Sequence, residues 1–152
     1  MKKALVIYAT KHGNIEKIAV ALSHGLKDGG LVADCVRVQD IDVANLDQYD
    51  FIAIGGPTQA FVSTDPPLID FLKKLKKVSF QGKKAFAFDT KFGHRIYGSA
   101  GGKIEEQLKE LGFEIVKTSV SAIVERWYGP LEEGSEEKFR QIGSEIAKQI
   151  LS

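Results

Sequence analysis

The sequence predicts an α/β protein, a doubly wound three-layer sandwich with a parallel sheet between two layers of helices. Short apolar runs alternate along the chain with segments whose apolar residues recur at helical spacing. The strand-like runs are apolar almost throughout, as strands covered on both faces must be. No linker, repeat or low-complexity stretch interrupts the 152 residues, so a single domain over residues 1–152 is expected.

The elements follow in order. Ala4 to Ala9 reads as a strand. Ile15, Ile18, Leu22 and Leu26 form the buried stripe of a helix that Gly29-Gly30 stops. Val32 to Val38 is a second strand, and Phe51 to Ile54 a third. Asp65-Pro66-Pro67 is a helix start, with Asp65 as N-cap and proline at the first position. That helix buries Leu68, Phe71, Leu72 and Leu75. Ala85 to Phe88 is a fourth strand. Ile104, Leu108 and Leu111 mark a third helix, ended by Gly112. Phe113 to Val124 contains a fifth strand, extended or bulged. Ser135 caps a last helix, with Glu136 and Glu137 in its electropositive first turn and a stripe of Phe139, Ile142, Ile146 and Ile150.

Composition narrows the function classes. The 21 basic and 20 acidic residues nearly cancel, which by itself points neither toward nor away from nucleic acid, and no nucleic-acid partner is expected. Cys35 is the only cysteine, so an internal disulfide and a cysteine zinc site are excluded, and it reads as a buried thiol. No metal site is expected. Lys2 and Lys3 precede only a short apolar run, so no signal peptide is read there. No stretch approaches membrane-spanning length. A cytoplasmic protein without membrane insertion is expected.

In folds of this class ligands bind beyond the carboxyl ends of the strands, where strand order reverses. The informative segments are therefore the loops that follow the strands. The first is Thr10-Lys11-His12-Gly13-Asn14-Ile15. A helix start offers unpaired N–H groups and a positive dipole end, and Gly13 lets the chain turn closely around an anion. Thr10 adds a hydroxyl, Asn14 an amide donor, and Lys11 or His12 positive charge. The alternative reading is plain helix capping by Asn14. There is no GxGxxG after the first strand and no GxxxxGK[ST], which argues against dinucleotide and P-loop sites. A phosphorylated receiver domain would place acids where this chain has Tyr8-Ala9-Thr10 and Gly55-Gly56.

The second loop, Gly55 to Phe61, has two glycines that free the backbone to approach a flat ligand, a stiffening Pro57, and Phe61 to stack on a ring. The third, Asp89 to Gly102, is long, rich in glycine, and carries Phe92, His94 and Tyr97. Each aromatic could equally pack against its own loop. Trp127-Tyr128 follows the last strand, near the ligand end or as an anchor for the final helix. Lys73, Lys74, Lys76, Lys77, Lys83 and Lys84 form a basic group, read as a solvated helix end or as a docking patch for an acidic partner.

Three stretches together carry a family resemblance that spans nearly the whole chain. "LVIYATKHGNIEKIA" resembles the phosphate loop of flavodoxins. "LDQYDFIAIGGPT" resembles the lead into their first flavin-flanking loop. "FDTKFGHRIYGSAGGKIEEQLKELGFEIV" resembles the second flanking loop and the helix after it. The resemblance implies a flavodoxin-like five-stranded parallel sheet of order 2-1-3-4-5 that binds FMN. It implies Thr10, Lys11, His12, Gly13, Asn14 and Ile15 around the phosphate, Ile15 through its backbone only. It implies Pro57, Thr58, Gln59, Phe61, Phe92, His94 and Tyr97 around the ring.

The family phosphate loop reads T-x-T-G-N-T, and here His12 and Ile15 replace two hydroxyl residues. At roughly 0.5–3 kcal/mol per lost hydrogen bond, FMN binding would weaken by about ten- to several-thousand-fold, with a protonated His12 restoring part. Lys91, His94 and Arg95 put positive charge beside the expected ring. By Coulomb's law they should make the flavin less strongly reducing than in an acidic member of the family.

The leading functional expectation is an FMN-binding redox protein that carries electrons between protein partners, with no catalytic residue of its own. The alternatives are an FMN-dependent NAD(P)H:quinone-type reductase, and a flavodoxin fold without flavin acting as an interaction module. The oligomeric state is left open.

Overall fold

The computed structural model describes residues 1–10, 12–58, 66–93, 99–126 and 128–152. The elements are β1 (Lys3–Tyr8), α1 (Asn14–Asp28), β2 (Val32–Arg37), β3 (Phe51–Pro57), α2 (Pro66–Leu75), β4 (Lys84–Phe92), α3 (Ala100–Glu110), β5 (Glu114–Ile115), β6 (Val120–Val124) and α4 (Ser135–Leu151). Two 3-10 turns, Val38–Asp40 and Val43–Gln48, join β2 to β3.

The strands lie in the order β2-β1-β3-β4-β5, with β6 also beside β4, and every pairing between them is parallel. This is the expected α/β architecture and the expected 2-1-3-4-5 order. The fifth position is filled in two pieces. β5 pairs with Lys84 and Ala85 at one end of β4, and β6 pairs with Phe88 to Phe92 at the other. The polar run Lys117-Thr118-Ser119 separates the pieces.

Alternation along the strands builds two cores. Ala4, Val6 and Tyr8 of β1 face one layer with Ile18 and Leu22 of α1 and Phe139 of α4. Leu5 and Ile7 face the other, with Leu68 and Phe71 of α2 and Ile104 of α3. Both faces are covered, so neither set of positions can be polar. That is why β1 shows no alternation in its sequence. Phe88 stands edge-on to Phe139 with ring centres 5.8 Å apart, joining β4 to α4.

α1 and α4 cross closely because each presents a glycine. A Cβ on Gly25 would run into the Arg140 carbonyl, and one on Gly143 into the Leu22 carbonyl. A bidentate ion pair, Arg140 Nε to Asp28 Oδ2 at 2.7 Å and Nη2 to Oδ1 at 3.1 Å, spans the same crossing at the surface. The guanidinium holds the Asp28 carboxyl below its usual range.

Several boundaries differ from the sequence reading. β4 runs through Asp89-Thr90-Lys91-Phe92, which had been read as loop, because β6 supplies it with a partner over that length. α4 is capped by Gly134, at φ 85°, and not by Ser135. Ser135 is the first helical residue, and its hydroxyl donates to the Glu132 carbonyl at 2.6 Å. Asp65, expected to cap α2, lies outside the described residues.

The topology also places the lysines. α2 begins near the carboxyl edge of the sheet, and the chain re-enters the sheet at its amino edge through Lys84. The lysine-rich end of α2 is thus on the side opposite the ligand loops, where it complements the helix dipole. Lys83 is drawn inward, donating to the carbonyls of Asp47 at 2.8 Å and Tyr49 at 2.6 Å.

Candidate functional site

β1 and β3 are neighbours, and the chain leaves them toward opposite faces: β1 leads to α1, β3 to α2. A crevice therefore opens beyond their carboxyl ends. α1 and α3 both start at this edge, and their first turns are treated differently.

The first turn of α3 is closed by protein. The Ala100 N–H donates to Thr58 Oγ1 at 3.0 Å, the Gly101 N–H to Asp89 Oδ2 at 2.7 Å, and the Gly102 N–H to Ser99 Oγ at 3.2 Å. Three segments of the chain each contribute one acceptor. The donors of this turn are thus already used.

The first turn of α1 is open. Its N-cap is Gly13, in the left-handed region at φ 83°, which has no side chain to cap the turn, and among the described residues no side chain accepts from the N–H groups of residues 14–16. The first N–H groups of a helix have no acceptor inside it, and here the helical ladder begins with Lys17 N–H to Gly13 O at 3.3 Å. The Gly13 N–H donates to Thr10 Oγ1 at 2.9 Å, which holds the turn and leaves the Thr10 hydroxyl hydrogen free to donate outward. A built Cβ on Gly13 would meet nothing within 4 Å among the described residues. These are the features of an anion cradle, and a phosphate monoester fits them.

The predicted phosphate residues divide by side chain. Thr10, His12 and Gly13 sit at the mouth, His12 being exposed. Ile15 is 1% exposed and packed in the core with Tyr8 and Ile18, so only its backbone can serve. Asn14 does not cap the helix. Its side-chain amide donates instead to the Tyr128 carbonyl at 3.0 Å. Lys11 lies outside the described residues.

The ring side is partly described. Pro57 ends β3, and Thr58 is tied across to β4 by its N–H to the Thr90 carbonyl at 2.8 Å. Because the Thr58 hydroxyl accepts from α3, this residue fixes the rim. Phe92 is the last residue of β4 and not a loop residue, and it is 41% exposed at this edge. Gln59, Phe61, His94 and Tyr97 lie outside the described residues. Gly55 and Gly56 belong to β3, and Gly55 has a packing reason: a Cβ there would strike the Phe88 ring.

Two features were missed in the sequence. Asp89 is fully buried in β4. Its Oδ1 is the one buried side-chain polar atom without a hydrogen-bond partner among the described residues. An acid inside an apolar strand run was the available signal. The second is the turn after β6, where Tyr128 and Gly129 receive Asn14.

Beneath α1, the Tyr8 hydroxyl donates to Glu16 Oε1 at 2.6 Å. Burial first, then the Glu16 carboxylate, pushes the Tyr8 phenol well above its ordinary value, so it remains a neutral donor. A separate groove of about 660 Å³, lined by Asp40, Ile41, Asp42, Asp70 and Phe71 among others, lies beyond β2 and apart from the crevice.

Comparison with known proteins agrees with this geometry. The family model for flavodoxin matches residues 6–142. "Probable flavodoxin 2" of Bacillus subtilis is 31% identical over 124 residues, 79% of this chain and 81% of that protein. "Probable flavodoxin 1" of the same organism is 34% identical over 90 residues, 59% of this chain, and the match spans 57% of that protein's length. The crystal structure of oxidised flavodoxin 1 from Bacillus cereus superimposes with a TM-score of 0.84 at 25% identity, covering 97% of this chain and 98% of that one. The chain belongs to the flavodoxin family, whose members are FMN-binding electron-transfer proteins.

Proposed function

We propose that this protein is a single-domain cytoplasmic electron carrier that shuttles between redox partner proteins. The observation that carries the reading is the uncapped first turn of α1 at the strand-order switch, beside an α3 whose own first turn is closed. In this reading the FMN phosphate lies on the N–H groups of residues 14–16, with donors from Thr10, Lys11 and His12. The ring lies between the segments around Pro57, Thr58, Gln59 and Phe61 and around Phe92, His94 and Tyr97.

The flavin supplies the acceptance and release of electrons. The chain binds it, orients it and screens it from water. No side chain needs to act as acid or base. The exposed Phe92 at the crevice edge is an apolar contact for ring or partner.

The test is titration of flavin-free protein with FMN and with riboflavin, followed by flavin fluorescence. Binding of FMN at micromolar or tighter affinity, with riboflavin clearly weaker, supports the cradle. Absence of FMN binding refutes the reading. Steady oxidation of NAD(P)H by the loaded protein with a quinone would replace the carrier by a reductase.

A further inference from the structure

We infer that Asn14 serves the phosphate site as a positioning residue: its amide clasps the turn at Tyr128 and Gly129, which fixes how α1 presents its first N–H groups. The inference rests on the FMN reading above and deepens it.

Asn14 stands at the first helical position, directly behind the cradle glycine, and is 8% exposed. A side chain meant for an anion at the mouth would point there. This one points sideways, and Nδ2 donates to the Tyr128 carbonyl at 3.0 Å, 114 residues away in sequence. The residue after the acceptor leaves room for the amide. Gly129 has φ 115°, and a Cβ there would lie 2.9 Å from both Nδ2 and Oδ1 of Asn14. The amide is thus seated where only glycine leaves room.

The turn that receives it is well held. The Gly129 N–H donates to the Arg126 carbonyl at 2.9 Å and the Glu125 N–H to the Pro130 carbonyl at 2.9 Å. The Glu132 N–H donates to the Ile123 carbonyl at 2.7 Å. β6, from which the turn springs, also receives the Gly93 N–H on the Val124 carbonyl at 3.2 Å. The clasp therefore ties the loop after β1 to the loop after β6 and, through it, to the end of β4. The N-cap function stays with Gly13, so capping does not explain Asn14.

The test compares wild type, Asn14→Ala, Gly129→Ala and the double variant for FMN and riboflavin affinity. Loss of one neutral hydrogen bond predicts FMN weakened by roughly two- to tenfold in Asn14→Ala, with riboflavin changed less than about twofold. If Asn14 acts through the clasp, Gly129→Ala weakens FMN as well, and the double variant is no weaker than the worse single. Losses that multiply in the double variant would make Asn14 a direct ligand and overturn the inference. So would unchanged FMN affinity in Asn14→Ala.

Should Gly129→Ala fail to fold, amide exchange of Gly129 and Glu125 in flavin-free Asn14→Ala decides instead. Faster exchange supports the clasp, and wild-type rates overturn it. A wild type that binds no FMN defeats the functional reading itself. A wild type that binds while Asn14→Ala binds equally defeats only the clasp.

Discussion

Replacing Gly13 by alanine separates the conformation of the cradle from its contacts. The residue sits at φ 83° and ψ −6°, and an added methyl would touch nothing within 4 Å among the described residues. The cost is therefore backbone strain alone, about 1–2 kcal/mol for an L residue in the left-handed region. The strain has two places to appear. If the free protein keeps the turn, the loss falls on folding stability, at about 2–4 °C of melting temperature per kcal/mol for a chain of this size. If the free protein relaxes the turn, stability is spared, and FMN must pull the residue back, weakening binding by about five- to thirtyfold. The two losses should sum to the same total. Urea denaturation of the flavin-free protein and an FMN titration measure the two parts. Gly13→Asn is the control, because asparagine tolerates this region and caps well, so its summed loss should be the smaller. An alanine variant that loses neither stability nor affinity would refute the reasoning, as would an asparagine variant that loses as much as alanine.

Three further outcomes are expected. Asp89→Ala strands the buried Gly101 N–H and should cost about 1.5–3 kcal/mol in urea denaturation, while Asp89→Asn, which keeps an acceptor, should cost less; an alanine variant as stable as wild type would contradict the role of Asp89 in closing α3. Burial pushes the Cys35 thiol up to about 11, and burial with the Asp34 hydrogen bond pushes the Tyr49 phenol up to about 12. Both folded values lie above the unfolded ones, so the folded state holds protons that the unfolded chain releases: this stability is complete below about pH 8.5 and is lost as pH rises toward 11–12. Denaturation midpoints that stay flat from pH 8 to 11 would oppose it. If His12 serves the cradle, His12→Gln should weaken FMN by roughly two- to tenfold while riboflavin affinity stays close to wild type; unchanged FMN affinity in that variant would remove His12 from the site.

Much of the fold was legible because it follows from periodicity. Ile15, Ile18, Leu22 and Leu26 mark α1 by spacing alone, and all four are buried in the structure. Apart from the cap of α4, which lies one residue earlier than expected, what stayed hidden has one cause, which is that the deciding partner is remote in sequence. β4 extends to Phe92 only because β6, some thirty residues later, pairs with it. The packing reason for Gly55 stayed hidden because nothing local shows that Phe88 lies against it. Asn14 reads locally as a cap because the acceptor of its side chain is 114 residues away. The turn from Thr10 to Gly13 is local by contrast, since the Gly13 N–H donates to Thr10 Oγ1 within the loop that carries both.

The comparison of α1 with α3 shows why a glycine or hydroxyl beside a helix start is weak evidence taken alone. Both helices begin at the same edge of the sheet, and both have small or hydroxyl-bearing residues at their starts. Any helix of this length has first-turn donors that need acceptors. What distinguishes the two is where the rest of the chain sends its acceptors. Thr58 comes from the end of β3 and Asp89 from within β4, and with Ser99 they occupy the donors of α3. That closure holds the start of α3 against the sheet. At α1 the one nearby hydroxyl, Thr10, accepts from the cap residue itself, and Asn14 is turned away toward Tyr128. The donors of that first turn are left without a side-chain acceptor among the described residues. An anion placed there meets several aligned N–H groups without displacing a protein acceptor, which is the condition under which a helix dipole contributes to binding and is not spent within the fold.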